Sequence, residues 1–168
     1  EAIKLLYDKS DIPPFEAILL GNEQGRNVYK KQLIDLVLKH RLNKVIKFID
    51  HCKEMPVAYG ISNLVCSCSS EPETFGRIAV EAQSMQIPII ASDIGGSKET
   101  IIKDKTGYLY KNKDPIDLAN SIAAVMQKKY DSLRSLGIEG RKNVLKRFDV
   151  DKMCQTTFTE YKKLIKLS

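Results

Sequence analysis

The strongest constraint on the fold is an alternation: five short apolar runs, at residues 15–20, 44–49, 64–68, 88–91 and 107–110, are each followed by a polar loop and then by apolar residues at helical spacing. Such runs suit strands covered on both faces, and covered strands lie parallel. Parallel neighbours need a crossover connection, which is helical and right-handed, so the helices fall on both faces of the sheet. The expected fold is α/β, a doubly wound parallel sheet built by residues 1–168 as one domain.

The helices are expected at residues 1–9, through Val28, Leu33, Leu36 and Val37, and then at 55–61, 75–85, 99–102, 114–128, 130–148 and 151–167. Pro13 and Pro14 close the first, because proline lacks the amide that would continue it, whereas Pro115 sits where a first helical turn accepts it. The chain starts inside an amphipathic pattern with no initiator Met, as a piece of a longer protein would.

With 43% apolar residues the chain can fill one core. No run nears the roughly 18–20 apolar residues of a membrane span, and the start lacks a signal-peptide pattern. The cytoplasm is therefore the expected compartment, with Cys52, Cys66, Cys68 and Cys154 reduced. Cys66 and Cys68 alternate along the third run onto one face, where core packing is expected. With only His40 and His51 elsewhere, a zinc site lacks ligands. The net charge of +6 arises late: residues 101–168 carry 15 basic and 8 acidic side chains, against 12 and 13 in residues 1–100. These lysines spread over helical faces without interleaved aromatics, so no nucleic-acid partner is expected.

Parallel sheets bind ligands beyond the carboxyl ends of their strands, here the loops at residues 21–26, 49–55, 69–76 and 92–97. The third loop is the most informative, reading Ser69-Ser70-Glu71-Pro72-Glu73-Thr74-Phe75-Gly76-Arg77 as a strand passes into a helix. The first amides of a helix and its positive dipole end suit a phosphate, and Gly76 lets main chain approach without a Cβ. Glu73 and Glu81 are too far apart along the chain to form one acid pair by local geometry. They can instead act as two carboxylate acceptors, each gripping hydroxyl groups, with phosphates between them.

The Glu73-x7-Glu81 spacing enclosing Phe75-Gly76 resembles the donor-site signature of the family 4 retaining glycosyltransferases. The resemblance continues through Glu81-Ala82-Gln83, Ile87-Pro88-Ile89-Ile90-Ala91-Ser92, Gly95-Gly96, Glu99-Thr100 and Gly107-Tyr108-Leu109, with Leu19-Leu20-Gly21 and Met55-Pro56-Val57-Ala58-Tyr59 upstream. It covers nearly the whole chain. It implies one Rossmann-like domain of a GT-B fold, the carboxyl-terminal one, which binds a nucleotide-diphosphate sugar. It also implies transfer with retention to a glycan or lipid-linked acceptor in bacterial envelope polysaccharide synthesis, lipopolysaccharide or capsule, at the inner face of the cytoplasmic membrane.

Carried over residue by residue, the resemblance makes Glu73 the catalytic carboxylate, touching the donor sugar or its phosphate. Glu81 holds ribose hydroxyls, Thr74 and the amides of Phe75, Gly76 and Arg77 lie along the diphosphate, the base lies near Ile49 and Asp50, and Gly21 is on the donor side. No metal or other cofactor is implied, since stabilising the departing diphosphate and orienting the acceptor supply the catalysis.

A full donor domain of the family opens with a strand ending in Gly-Arg, followed by a Lys, and this chain begins after that point. The sheet is therefore expected to lack its first, central strand, the fragment to be inactive alone, and the missing amino-terminal, acceptor-binding domain to be its partner. Glu71 and Pro72 stand where the family has small or hydroxylated residues, so Glu71 is expected to be a loop residue. Three alternatives remain: a nucleotide-sugar 2-epimerase, a non-catalytic nucleotide-binding or scaffold module, and a dinucleotide-dependent dehydrogenase. The last lacks the Gly-x-Gly-x-x-Gly it would need. The final helix, with Phe158, Tyr161, Leu164 and Ile165 beside Lys162, Lys163 and Lys166, admits contact with lipid or packing on the amino-terminal domain.

Overall fold

A computed structural model describes residues 1–21, 25 and 27–166. They fall into two compact units: Glu1–Ile61 with Asp114–Lys128, and Ser62–Lys113 with the stretch from Lys129 onward.

The first unit comprises α1 (Ala2–Tyr7), β1 (Ala17–Leu20), α2 (Asn27–Lys39), β2 (Ile46–Ile49), α3 (Met55–Gly60) and, from much later in the chain, α6 (Pro115–Met126). β1 and β2 are parallel, from Ala17 opposite Ile46 to Leu20 opposite Ile49, so their carboxyl ends lie side by side. Val37 of α2, Leu42 and Ile46 form the core here, with Ile3, Ala17 and Phe48 packed against it. α6 starts where Pro115 predicts: the Asp114 carboxylate accepts the amides of Ile116 and Asp117 at 3.1 and 3.0 Å and caps the helix. It packs on α1, tied at the margins by Lys9 donating to Asn120 and Gln127 donating to Asp11, each at 3.0 Å.

The second unit comprises β3 (Val65–Ser67), α4 (Arg77–Ser84), β4 (Ile89–Ser92), α5 (Ser97–Thr100), β5 (Tyr108–Tyr110), α7 (Tyr130–Arg147) and α8 (Val150–Lys166). Its sheet has the order β3-β4-β5, all parallel. β4 is central and every one of its residues is buried, the continuous apolar run expected of a strand covered on both faces. α7 packs on α4 over a buried polar cluster. The Gln83 side-chain amide donates to the carbonyls of Ala79 and Thr100, and the Asn143 amide to Gln83 Oε1 and the Thr100 carbonyl, all at 3.0 Å.

Three expectations change. The strands form two parallel sheets, of two and three strands, rather than one, and among the described residues no strand joins them by hydrogen bonds. α4 begins at Arg77, not Phe75, because Gly76 at φ 79° is left-handed and breaks the helical path. On β3 it is Ser67 that is buried, whereas Cys66 and Cys68 are exposed. Residues alternate faces along a strand, and the core takes the Ser67 face. The four cysteines are free. Although solvent reaches Cys66 and Cys68, the protein around β3 displaces enough water to push both thiols up, with the Tyr110 hydroxyl partly offsetting this at Cys68.

No described helix is long and apolar enough to cross a membrane. α8 is exposed at every position from Val150 to Ile165.

Candidate functional site

The loop from β3 to α4, nine residues long between Ser67 and Arg77, is anchored at Ser69, Ser70, Glu71 and Glu73. Ser92, the last residue of β4 and 1% exposed, donates its hydroxyl to the Ser69 carbonyl at 2.7 Å. Asn112, just past β5, donates its amide to the Ser70 carbonyl at 3.1 Å. Lys113 pairs with the Glu71 carboxylate at 3.0 Å, which makes Glu71 a surface loop residue as expected. The Gly96 amide donates to the Glu73 carbonyl at 2.7 Å, and Ser69 donates its hydroxyl to the Glu73 carboxylate. Parallel strands that end together place the residues following β4 and β5 beside the loop that follows β3.

Two glycines make this seat possible. A Cβ on Gly96 would lie 2.3 Å from the Phe75 carbonyl carbon, and one on Gly95 would lie 2.6 Å from the Glu73 carbonyl oxygen, with Gly95 itself left-handed at φ 56°. The Gly95-Gly96 pair quoted for the family resemblance is thus the floor under Glu73 and Phe75.

Glu73 is half-buried, while Thr74 and Phe75 are exposed. The Phe75 ring meets Phe148 edge-on, centroids 5.5 Å apart, and Arg147 lies 4.8 Å over the Phe148 ring. At the helix start, the amides of Ala79 and Val80 are taken by the Gly76 carbonyl at 3.1 and 3.4 Å. Among the described residues no main-chain acceptor takes those of Arg77 and Ile78. They are the donors a helix N-terminus offers to an anion. One turn on, Glu81 Oε1 lies 3.2 Å from Arg77 Nε, with the guanidinium largely exposed; a pair so placed contributes little to stability.

In the first unit, the Gly21 amide donates to the Ile49 carbonyl at 3.0 Å, fixing the exit of β1 on the exit of β2. Asp50 pairs with Lys30 of α2 at 3.1 Å, and Ile49 is exposed. The expected site residues therefore divide: Gly21, Ile49 and Asp50 in one unit, Glu73, Thr74, Phe75, Gly76, Arg77 and Glu81 in the other. Of the loop at 21–26, residues 22–24 and 26 lie outside the described residues.

Sequence reasoning quoted Ser69 and Ser92 within motifs without seeing what they hold, and missed Asn112 and Phe148. Serines and asparagines at strand exits carry no distinguishing spacing, so only the assembled sheet shows what they hold. It also missed an Asp-x-Asp triplet, Asp149-Val150-Asp151, a pattern that elsewhere binds cations. Here the Asp149 carboxylate accepts the amides of Asp151 and Lys152 at 2.9 and 3.4 Å, capping α8. Among the described residues no three His, Cys, Asp or Glu side chains group as metal ligands.

The chain is similar to a glycosyltransferase from Rickettsia africae, with a TM-score of 0.91 and 26% identity over 99% of this chain and 43% of that one. It is also similar to Anabaena HepE, solved in complex with UDP-glucose, with a TM-score of 0.86 and 26% identity over 96% of this chain and 44% of that one. The capsular polysaccharide biosynthesis glycosyltransferase CapM of Staphylococcus aureus is 27% identical over 107 residues, 63% of this chain and 27% of that protein. The chain spans about a quarter of the length of the curated relatives it matches. The family model described as glycosyl transferases group 1 matches residues 1–143. With that match spanning Glu73, Gly76 and Glu81 and the loop geometry that seats them, the chain belongs to the group 1 glycosyl transferases.

Proposed function

We propose that this chain is the donor-binding part of a retaining glycosyltransferase, and that the Glu73 loop and the start of α4 hold a nucleotide-diphosphate sugar. The observation that carries this reading is an anchored carboxylate followed closely by open helix amides: Glu73, fixed through Ser69 and Gly96, precedes Arg77 and Ile78, whose amides no main-chain acceptor takes among the described residues. A diphosphate satisfies those amides and is favoured by the dipole of α4. Glu73 then faces the sugar or its phosphate, and Glu81 accepts from ribose hydroxyls. Donors that are already aimed stabilise the charge developing on the leaving diphosphate without reorganising at the moment of reaction.

Ile49 and Asp50 remain assigned to the base, and Gly21 to the donor side, on family resemblance alone. The reading includes no metal, and assigns the acceptor, a glycan or lipid-linked saccharide of the cell envelope, to the part of the protein outside this chain. The similarity to CapM supports an envelope role and the Anabaena complex supports a uridine donor; both are proposals for this protein, as is work at the cytoplasmic face of the membrane.

Calorimetric titration of the intact protein with UDP, GDP and ADP tests the donor site. One nucleotide is expected to bind selectively, with affinity falling about tenfold or more in Glu81→Ala, the loss of a hydrogen bond to a charged acceptor. Unchanged binding in Glu81→Ala removes the assignment, and no binding to any of the three favours a scaffold module.

A further inference from the structure

We infer that Ser69 is a positioning residue for the reaction, setting the rotamer of the Glu73 carboxylate, with Ser92 behind it; the inference rests on the proposed role of Glu73. Each serine hydroxyl has one proton to donate. Ser92 uses its proton on the Ser69 carbonyl, and Ser69 uses its proton on Glu73 Oε1. Tyr110 is the register partner of Ser92 on β5, and burial pushes the ionisation of its hydroxyl up, so it keeps its proton. A short tier thus runs from the end of β4 through the Ser69 main chain to the Ser69 hydroxyl and the carboxylate.

The main chain of Glu73 does not depend on that tier. Gly96 holds its carbonyl and Gly95 packs against its backbone. What the backbone contacts leave undetermined is the side chain, whose three torsions carry about 1.5–2 kcal/mol of rotamer freedom. Ser69 removes that freedom before the donor arrives. A carboxylate already aimed contributes in the transition state without an ordering cost, so the effect of Ser69 falls on turnover rather than on donor affinity.

The test uses the intact protein with UDP-glucose as the probe, comparing Ser69→Ala, Ser69→Thr, Glu73→Ala and the Ser69→Ala/Glu73→Ala double variant. Ser69→Ala is expected to lower kcat for UDP-glucose turnover about tenfold with KM and Tm nearly unchanged, the loss of one charge-assisted hydrogen bond. Ser69→Thr, which keeps a hydroxyl, restores it. In the Glu73→Ala background the same change has no further effect. Crystal structures of the wild type and Ser69→Ala supply a readout independent of turnover, with one Glu73 rotamer expected in the first and a displaced or divided side chain in the second. An unmoved Glu73 in Ser69→Ala, or an equal loss in the Glu73→Ala background, overturns the inference. Full activity in Glu73→Ala instead overturns the proposed role of Glu73, a failure visible without any Ser69 variant.

Discussion

The β3–α4 loop and α8 occupy the same unit and show opposite relations between sequence pattern and packing. The loop is polar and carries two prominent carboxylates, yet it is tied down at Ser69, Ser70, Glu71 and Glu73 by hydrogen bonds and an ion pair. α8 has the more apolar stripe, with Met153, Phe158, Tyr161, Leu164 and Ile165 each about 60% exposed or more. Apolar periodicity says that a face needs cover; it does not say that the chain itself supplies it. α4, which does pack, buries only Ala79, Ala82 and Gln83. Small residues let α7 approach closely and concentrate the specificity in one polar cluster.

That contrast orders the expected effects of substitution. Gly96→Ala forces a Cβ into the Phe75 backbone and is expected to cost about 2–4 kcal/mol, with loss of nucleotide binding, as overpacking against main chain does; a drop in Tm and calorimetry both read it. Asn143→Leu leaves Gln83 Oε1 without its donor and is expected to cost about 1–3 kcal/mol, measured by urea unfolding. Asp149→Ala removes the cap of α8 and is expected to cost about 1 kcal/mol of helix stability, visible in the far-ultraviolet circular dichroism of the 168-residue chain as lost helicity with the core transition intact. Leu164→Ser with Ile165→Ser is expected to change the stability of the 168-residue chain by less than about 0.5 kcal/mol, since neither side chain is buried there. A larger cost of that pair in the intact protein shows that the remainder of the protein covers α8.

Much of the fold was legible because its signals are local. The apolar runs located all five strands among the described residues, and Pro115 behind Asp114 marked the start of α6 within a residue. Glu73 and Glu81 stood out through their spacing, and the family match spans both. The face that β3 buries was not legible, since Cys66-Ser67-Cys68 offers two similarly small apolar or polar choices and the packed sheet chose Ser67. The helix start at Arg77 required knowing that Gly76 adopts a left-handed conformation. The hold of Ser92 on the Ser69 carbonyl depends on strand exits brought together across 23 residues, a separation no short window contains, and the local Ser69–Glu73 bond depends on the loop path that this hold helps to set. The triplet at Asp149 shows the converse, a pattern with a chemical meaning elsewhere that serves here as a helix cap.

The pairing of α1 with α6 has a consequence in time. These helices form one unit although more than one hundred residues separate them. At about 5–20 residues per second of synthesis, α1 waits on the order of 5–20 s on the ribosome before its partner exists. The second unit's three strands, all drawn from one uninterrupted stretch, are complete at Tyr110, so its sheet can assemble in the last ~1–3 s of that interval. The nascent chain can therefore complete its three-stranded sheet before α6 arrives to pack on α1, the helix that carries Leu6, almost fully buried in the finished protein.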